Sequence, residues 1–129
     1  MTSTQATLYQ PGVCNIGPAE IHTRRRFGWI GLAVTVVFLA VAFATGIPAP
    51  WRLFVVLPAA AGANGFLQAA MHFCVGFAQK GLFNFGELGS EETVYEADYR
   101  RKDQRKALTI IALSLLIAIV VAVAALLVP

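Results

Sequence analysis

The order of apolar and polar residues divides the chain into three long apolar stretches. No Asp, Glu, Lys or Arg lies between Arg26 and Arg52, between Arg52 and Lys80, or after Lys106. A helix needs about 20 mostly apolar residues to cross the hydrocarbon layer, and each interval supplies them. The pattern predicts an all-α membrane protein with three transmembrane helices, at about residues 27–46, 53–78 and 107–129. Residues 1–14 read as a flexible arm. Residues 15–78 form a transmembrane helical hairpin, and 79–106 hold a loop and the amphipathic start of the last helix.

Local signals sharpen these boundaries. Gly17 suits a helix N-cap, Pro18 the first helical position, and Glu20 places negative charge in the first turn. Gly46-Ile47-Pro48-Ala49-Pro50 stops that helix, since two prolines so close cannot continue one. The second span holds Pro58, Gly62, Asn64, Gly65, Gln68, His72, Cys74 and Gly76. Residues 79–92 are rich in glycine and read as a loop. Thr93-Val94-Tyr95-Glu96 has capping-box spacing and is expected to open the last helix. Behind it, Glu96 with Arg100 and Asp98 with Lys102 are four apart with the acid first, the favourable order. Trp29 and Trp51 suit opposite membrane–water interfaces.

Composition agrees with the spans. Of 129 residues, 57% are hydrophobic and 13% charged, about half the charge of a soluble domain. That excludes a soluble globular domain, a disordered tail and a secreted disulfide scaffold. The net charge of +3 does not indicate a nucleic-acid partner, because the basic residues flank the spans as topology signals do. Arg24, Arg25, Arg26, Lys80, Arg100, Arg101, Lys102, Arg105 and Lys106 fall on one side, and Arg52 alone falls on the other. The positive-inside rule then puts the N-terminus and residues 79–106 in the cytoplasm and the C-terminus outside. Arg24, Arg25, Arg26, Arg100, Arg101, Lys102, Arg105 and Lys106 also suit anionic lipid headgroups. Residues 1–23 lack a basic region followed by an apolar one, so the first span is expected to act as its own insertion signal.

Asn64, Gln68 and His72 are four apart and form one polar stripe on a helix. Unpaired polar groups in hydrocarbon cost several kcal/mol, so the stripe should face another helix, another subunit or a ligand. It reads either as interhelical hydrogen bonding, worth about 0.6 kcal/mol per contact, or as a polar path through the membrane. His72 is expected to be buried, hydrogen-bonded and structural. Ala61 with Gly65, and Ser114 with Ala118 and Ala122, make faces of small residues that let helices approach closely. They favour a three-helix core with the second helix central and a Val- and Phe-rich first span facing lipid or a partner.

Cys14, His22, His72 and Cys74 are every Cys and His in the chain. Thiolate and imidazole together suit zinc, iron or copper, and the topology puts all four near one face. On a continuous helix, however, His72 and Cys74 point about 200° apart, and they could share an ion only if the helix opened near Gly76. No metal, haem or other cofactor is expected, and two cysteines without paired spacing imply no disulfide framework. No nucleophile elbow, phosphate-binding glycine loop or intramembrane carboxylate is present, so no enzymatic activity is expected. The leading expectation is a non-catalytic accessory or structural subunit of a larger membrane complex. A self-assembling transporter or channel using the polar stripe is the rival reading. A metal- or haem-binding redox protein is the third.

Asn15-Ile16-Gly17, Glu20, Arg24 and Gly28, then an apolar span, a short Pro turn and a second span with Gly62, Gly65, Phe66 and Cys74, carry a resemblance. Over about residues 14–75 the chain resembles a family of small bacterial inner-membrane helical hairpins, sometimes joined to rhodanese sulfur-transfer domains. It departs from that pattern in lacking a Pro after Cys74, in adding residues 79–106 and a third span, and in carrying no rhodanese domain. The resemblance implies a bacterial cytoplasmic (inner) membrane and a hairpin built from the first two spans. It implies no activity.

Overall fold

A computed structural model describes residues 7–128. Three helical stretches are long and apolar enough to cross a membrane: Pro18–Thr45, Ala49–Met71 and Ala97–Leu127. The first is helix α1, Pro18–Thr45, with Gly17 as N-cap, Pro18 at its start and Glu20 in its first turn. It ends where Gly46 takes a left-handed φ of 69° and turns its N–H back to the Ala42 carbonyl. That conformation is cheap only without a Cβ. A 3-10 helix, Ala49–Val55, then leads into α2, Val56–Met71.

The second apolar stretch is shorter than the sequence pattern suggests. It stops at Met71 instead of running to residue 78, because His72 adopts φ 54°, ψ 44°. Histidine tolerates this region better than most side chains. The Gln68 carbonyl accepts the N–H groups of both His72 and Phe73, which closes the helix end. A short helix, α3, Val75–Lys80, follows.

The region expected to be a loop is partly ordered into strands. Leu82–Phe83 (β1) pairs antiparallel with Glu92–Thr93 (β2), and Asn84 bridges to Ile16. Thr93 therefore belongs to a strand and does not cap a helix. The last helix, α4, spans Ala97–Leu127 with Glu96 as N-cap. Its first-turn pairs also differ from the expected ones. Asp98 meets Arg101 at 3.2 Å, while Arg100 donates to the Val94 and Tyr95 carbonyls and so ties the approach loop to the helix.

Helix α2 lies between α1 and α4. Little hydrophobic force draws helices together in lipid, so close backbone approach has to hold them. The α1–α2 contact is built that way, with Gly28 and Gly31 against Gly62 and Gly65. A Cβ on Gly65 would lie 2.6 Å from the Gly28 nitrogen, and one on Gly31 would lie 2.5 Å from the Gly62 nitrogen. Gly65 thus sits in the close contact, whereas Ala61, its expected partner, is exposed. The close-packing face of α2 is one residue further round the helix, at Gly62.

On α4, Asp103, Ala107, Ile110, Ser114, Ala118, Ala122 and Ala125 form the buried stripe. Ser114 satisfies its hydroxyl on the Ile110 carbonyl, 2.8 Å away within the same helix. At one end, Val55 packs with Ala122 and Ala125, and Arg52 donates to the Ala125 and Val128 carbonyls at 3.1 and 2.8 Å. Arg52 thereby serves the last carbonyls of α4, which have no partner inside the helix. At the other end, Phe73 and Ala78 pack on Ala107 and Ile110.

Candidate functional site

The polar residues of the chain converge at the end of the helices that carries Arg24 and Lys106. Asn15 is fully buried, and its side chain pairs with both main-chain groups of Cys74. It donates to the carbonyl at 3.1 Å and accepts from the N–H at 2.7 Å. Its own N–H reaches the His72 carbonyl. Residues 72–74 leave the helix and would otherwise bury unpaired main-chain groups, each costing about 1–3 kcal/mol. Asn15 supplies what the helix no longer does.

Asn84 repeats the device on the other side of Asn15. Its N–H donates to the Asn15 carbonyl and its carbonyl accepts from Gly17. Its side-chain amide donates to Glu20 at 3.1 Å and to the Glu87 carbonyl at 2.9 Å, while its oxygen accepts from Gly86. Glu20 in turn pairs with Arg24 at 3.0 Å. The same guanidinium donates to the Cys74 sulfur at 2.9 Å and lies over the Phe77 ring. A buried carboxylate is retained here because its charge is paired and hydrogen-bonded.

The segment expected to be a flexible arm joins this cap, at least over the described residues 7–14; residues 1–6 lie outside them. Tyr9 stacks on Phe83 with ring centroids 4.8 Å apart and donates its hydroxyl to Asp103. The Gly12 N–H donates to the other oxygen of Asp103 at 2.8 Å. Asp103 is completely buried, so these two donors are what its carboxylate has in place of water. Burial first, then the neighbouring Asp103, pushes the Tyr9 phenol well above the usual tyrosine range.

The expected stripe does not survive the break at residue 72. Gln68 donates to Asn64 and accepts from the Val75 N–H at 3.0 Å, so it holds the start of α3 in place. His72 is exposed at the helix end and takes no part in the stripe. The four Cys and His residues also stay apart. Cys74 is buried and Cys14 half-buried, whereas His22 and His72 are exposed. Among the described residues no three His, Cys, Asp or Glu side chains are grouped as a metal site would require. The helix does open near Gly76, but the opening turns His72 outward.

Two concave surfaces flank the cap. A groove of about 670 Å³ runs between α1 and α2, with Arg24, Asn64 and Gln68 at its polar end and Ile30, Val34 and Leu57 along it. A second, of about 420 Å³, is lined by Tyr9, Phe83, Val94, Tyr95 and Tyr99. Tyr95 is 83% exposed, which is unusual for a large aromatic ring on an ordered segment. Of the cap residues, sequence reading singled out Asn15, Glu20 and Arg24, though not the bonds they make, and missed Asn84, Asp103 and Tyr9. Asp103 had a signal, since it sits four residues before Ala107 on the spacing of small residues that runs to Ala125. No protein-family model, curated protein or solved structure matches this chain.

Proposed function

We propose that the chain is a non-catalytic accessory subunit of a membrane complex, with its N-terminus and residues 72–106 in the cytoplasm. In this reading the helices anchor a rigid cytoplasmic cap, and the cap docks a segment of an unlike chain. The observation that carries it is the aromatic groove around Tyr95 and Tyr99. Charged residues end at Lys106, so the hydrocarbon layer begins near Ala107. At 1.5 Å per residue, Tyr99 then stands about 12 Å above that level. The headgroup layer is only about 5–7 Å deep on each side, so these rings lie beyond the belt where interfacial tyrosines reside. Tyrosine is the kind of residue that anchors protein–protein contacts.

The state of the polar groups supports the same reading. Glu20 is spent on Arg24 and Asn84, Asp103 on Tyr9 and Gly12, and Gln68 on Asn64 and Val75. These bonds brace the cap instead of lining a path through the membrane, which weighs against the transporter reading. The nine-to-one division of basic residues supports this orientation, and Arg52, on the other side, is occupied in closing α4. The membrane we infer is a bacterial cytoplasmic one, a reading that rests on the sequence resemblance of residues 14–75 alone.

Native mass spectrometry of the protein extracted in mild detergent tests this role. Unlike chains should co-purify with the wild type and be lost in Tyr95→Ala/Tyr99→Ala at unchanged melting temperature. A defined homo-oligomer without unlike chains, or retention of the partners by the double variant, would overturn it.

A further inference from the structure

The groove between α1 and α2 has a direction. Its polar end is formed by Arg24, Gln68 and Asn64, and its walls then become wholly apolar, with Phe27, Ile30, Val34, Leu57, Pro58 and Ala61. From Arg24 to Val34 on α1, and from Gln68 to Leu57 on α2, it runs about 15–17 Å at 1.5 Å per residue. That is one half of a hydrocarbon layer about 30 Å thick. A partner helix would need a seat along the whole thickness. A groove that begins at the charged end and stops near the midplane fits a molecule confined to one leaflet. Its volume of about 670 Å³ is within the range of small-molecule sites.

The polar end specifies the chemistry further. Arg24 is already committed to Glu20 and Cys74. Arg26 is exposed, and among the described residues it is in no ion pair. Arg26 lines a hollow that adjoins the groove and shares Phe27 and Ile30 with it. An anion at that mouth would meet an uncompensated guanidinium group, which binds phosphate well. About one helical turn inward lies Asn64. Its oxygen accepts from Gln68, and its NH2 group donates to nothing among the described residues. In hydrocarbon an idle donor is costly, and an ester carbonyl would satisfy it.

We propose that this groove binds one anionic phospholipid from the leaflet on the basic side. Its phosphate lies by Arg26, an ester carbonyl accepts from Asn64, and an acyl chain lies along Ile30, Val34, Leu57 and Ala61. The lipid completes the α1–α2 surface where the glycines bring the two backbones together and leave no side chains to fill the gap. Charge at the mouth, a single donor one turn in and a depth of one leaflet each fit this occupant.

The full-length protein reconstituted in bilayer discs of equimolar phosphatidylglycerol and phosphatidylcholine tests the site by native mass spectrometry. The wild type should retain one phosphatidylglycerol, with at least a fivefold preference over phosphatidylcholine. Ala61→Trp fills the groove from an exposed position and should lower retention at least tenfold at unchanged melting temperature. Arg26→Gln should keep a lipid but lose the preference. A photoreactive phosphatidylglycerol should label residues 30–34 and 57–64 of the wild type, a readout that does not depend on any variant's folding. Equal retention of the two lipids by the wild type, undiminished retention in Ala61→Trp, or labelling elsewhere would overturn the proposal. So would disulfide cross-linking of Ala61→Cys to a second copy or to another chain's helix, which would make the groove a helix seat.

Discussion

Tyr9 and Asp103 hold the N-terminal segment to α4 through one hydroxyl, one main-chain N–H and one carboxylate. The phenol must stay protonated for this to work, because a phenolate would face the buried carboxylate. Its pKa is raised in the folded protein, by burial first and then by Asp103. A raised folded-state value means that the stabilisation is complete below the unfolded value of about 10 and is lost as pH rises above it. The phenol's share of this latch should therefore be complete up to about pH 9, and the segment should loosen progressively above about pH 10. Hydrogen exchange at the Gly12 amide checks this. It should accelerate above pH 10 beyond the intrinsic rise of exchange with pH, and Tyr9→Phe should abolish that extra acceleration. Exchange that tracks only the intrinsic rate in the wild type would show that the latch does not depend on the phenolic proton.

Among the elements, the α1–α2 contact depends most on residue size. A Cβ at Gly65 would press on main-chain atoms of Arg24 and Gly28, and one at Gly31 on main-chain atoms of Gly62. Backbone cannot yield as a flexible side chain can, so Gly31→Ala and Gly65→Ala should each cost about 1–3 kcal/mol. Gly76→Ala is the control, since its added Cβ would meet only the Cys74 sulfur at an ordinary 3.8 Å. Thermal unfolding in detergent should rank both variants below wild type and leave the control unchanged. The elements themselves were legible wherever one local rule decides. Charge-free runs marked the apolar stretches, Gly17-Pro18 marked the start of α1, and Gly46 with the prolines marked its end. Legibility failed where a distant residue decides. The break at His72 is sustained by Asn15, 59 positions before Cys74 in the chain, and the arm is held by Asp103, 94 positions after Tyr9. Periodicity cannot report such pairs. The stripe of Asn64, Gln68 and His72 was drawn on a helix assumed to continue, and its error follows from that single break.

At the scale of the whole molecule, the two ends differ in kind. One end carries nine of the ten basic residues and a cap folded around Asn15, Asn84 and Asp103. The other is a short 3-10 link whose single cation, Arg52, is turned onto the α4 carbonyls and over the Phe43 ring. Translocating the capped end would mean carrying those charges and the folded cap across the hydrocarbon. Translocating the short link moves one arginine that the fold then neutralises against helix-end carbonyls. The asymmetry of cost agrees with the positive-inside rule and supports the proposed orientation. Single cysteines at Leu88 and Pro50, both exposed, check it in a Cys14→Ser background, Cys74 being buried. In intact cells a membrane-impermeant maleimide should label Pro50→Cys and spare Leu88→Cys until the membrane is opened. Labelling of Leu88→Cys in intact cells would invert the molecule, and the cytoplasmic docking role of the Tyr95 groove would fall with it. The lipid site would remain, transferred to the opposite leaflet, because its chemistry depends on the basic end and not on which compartment that end faces.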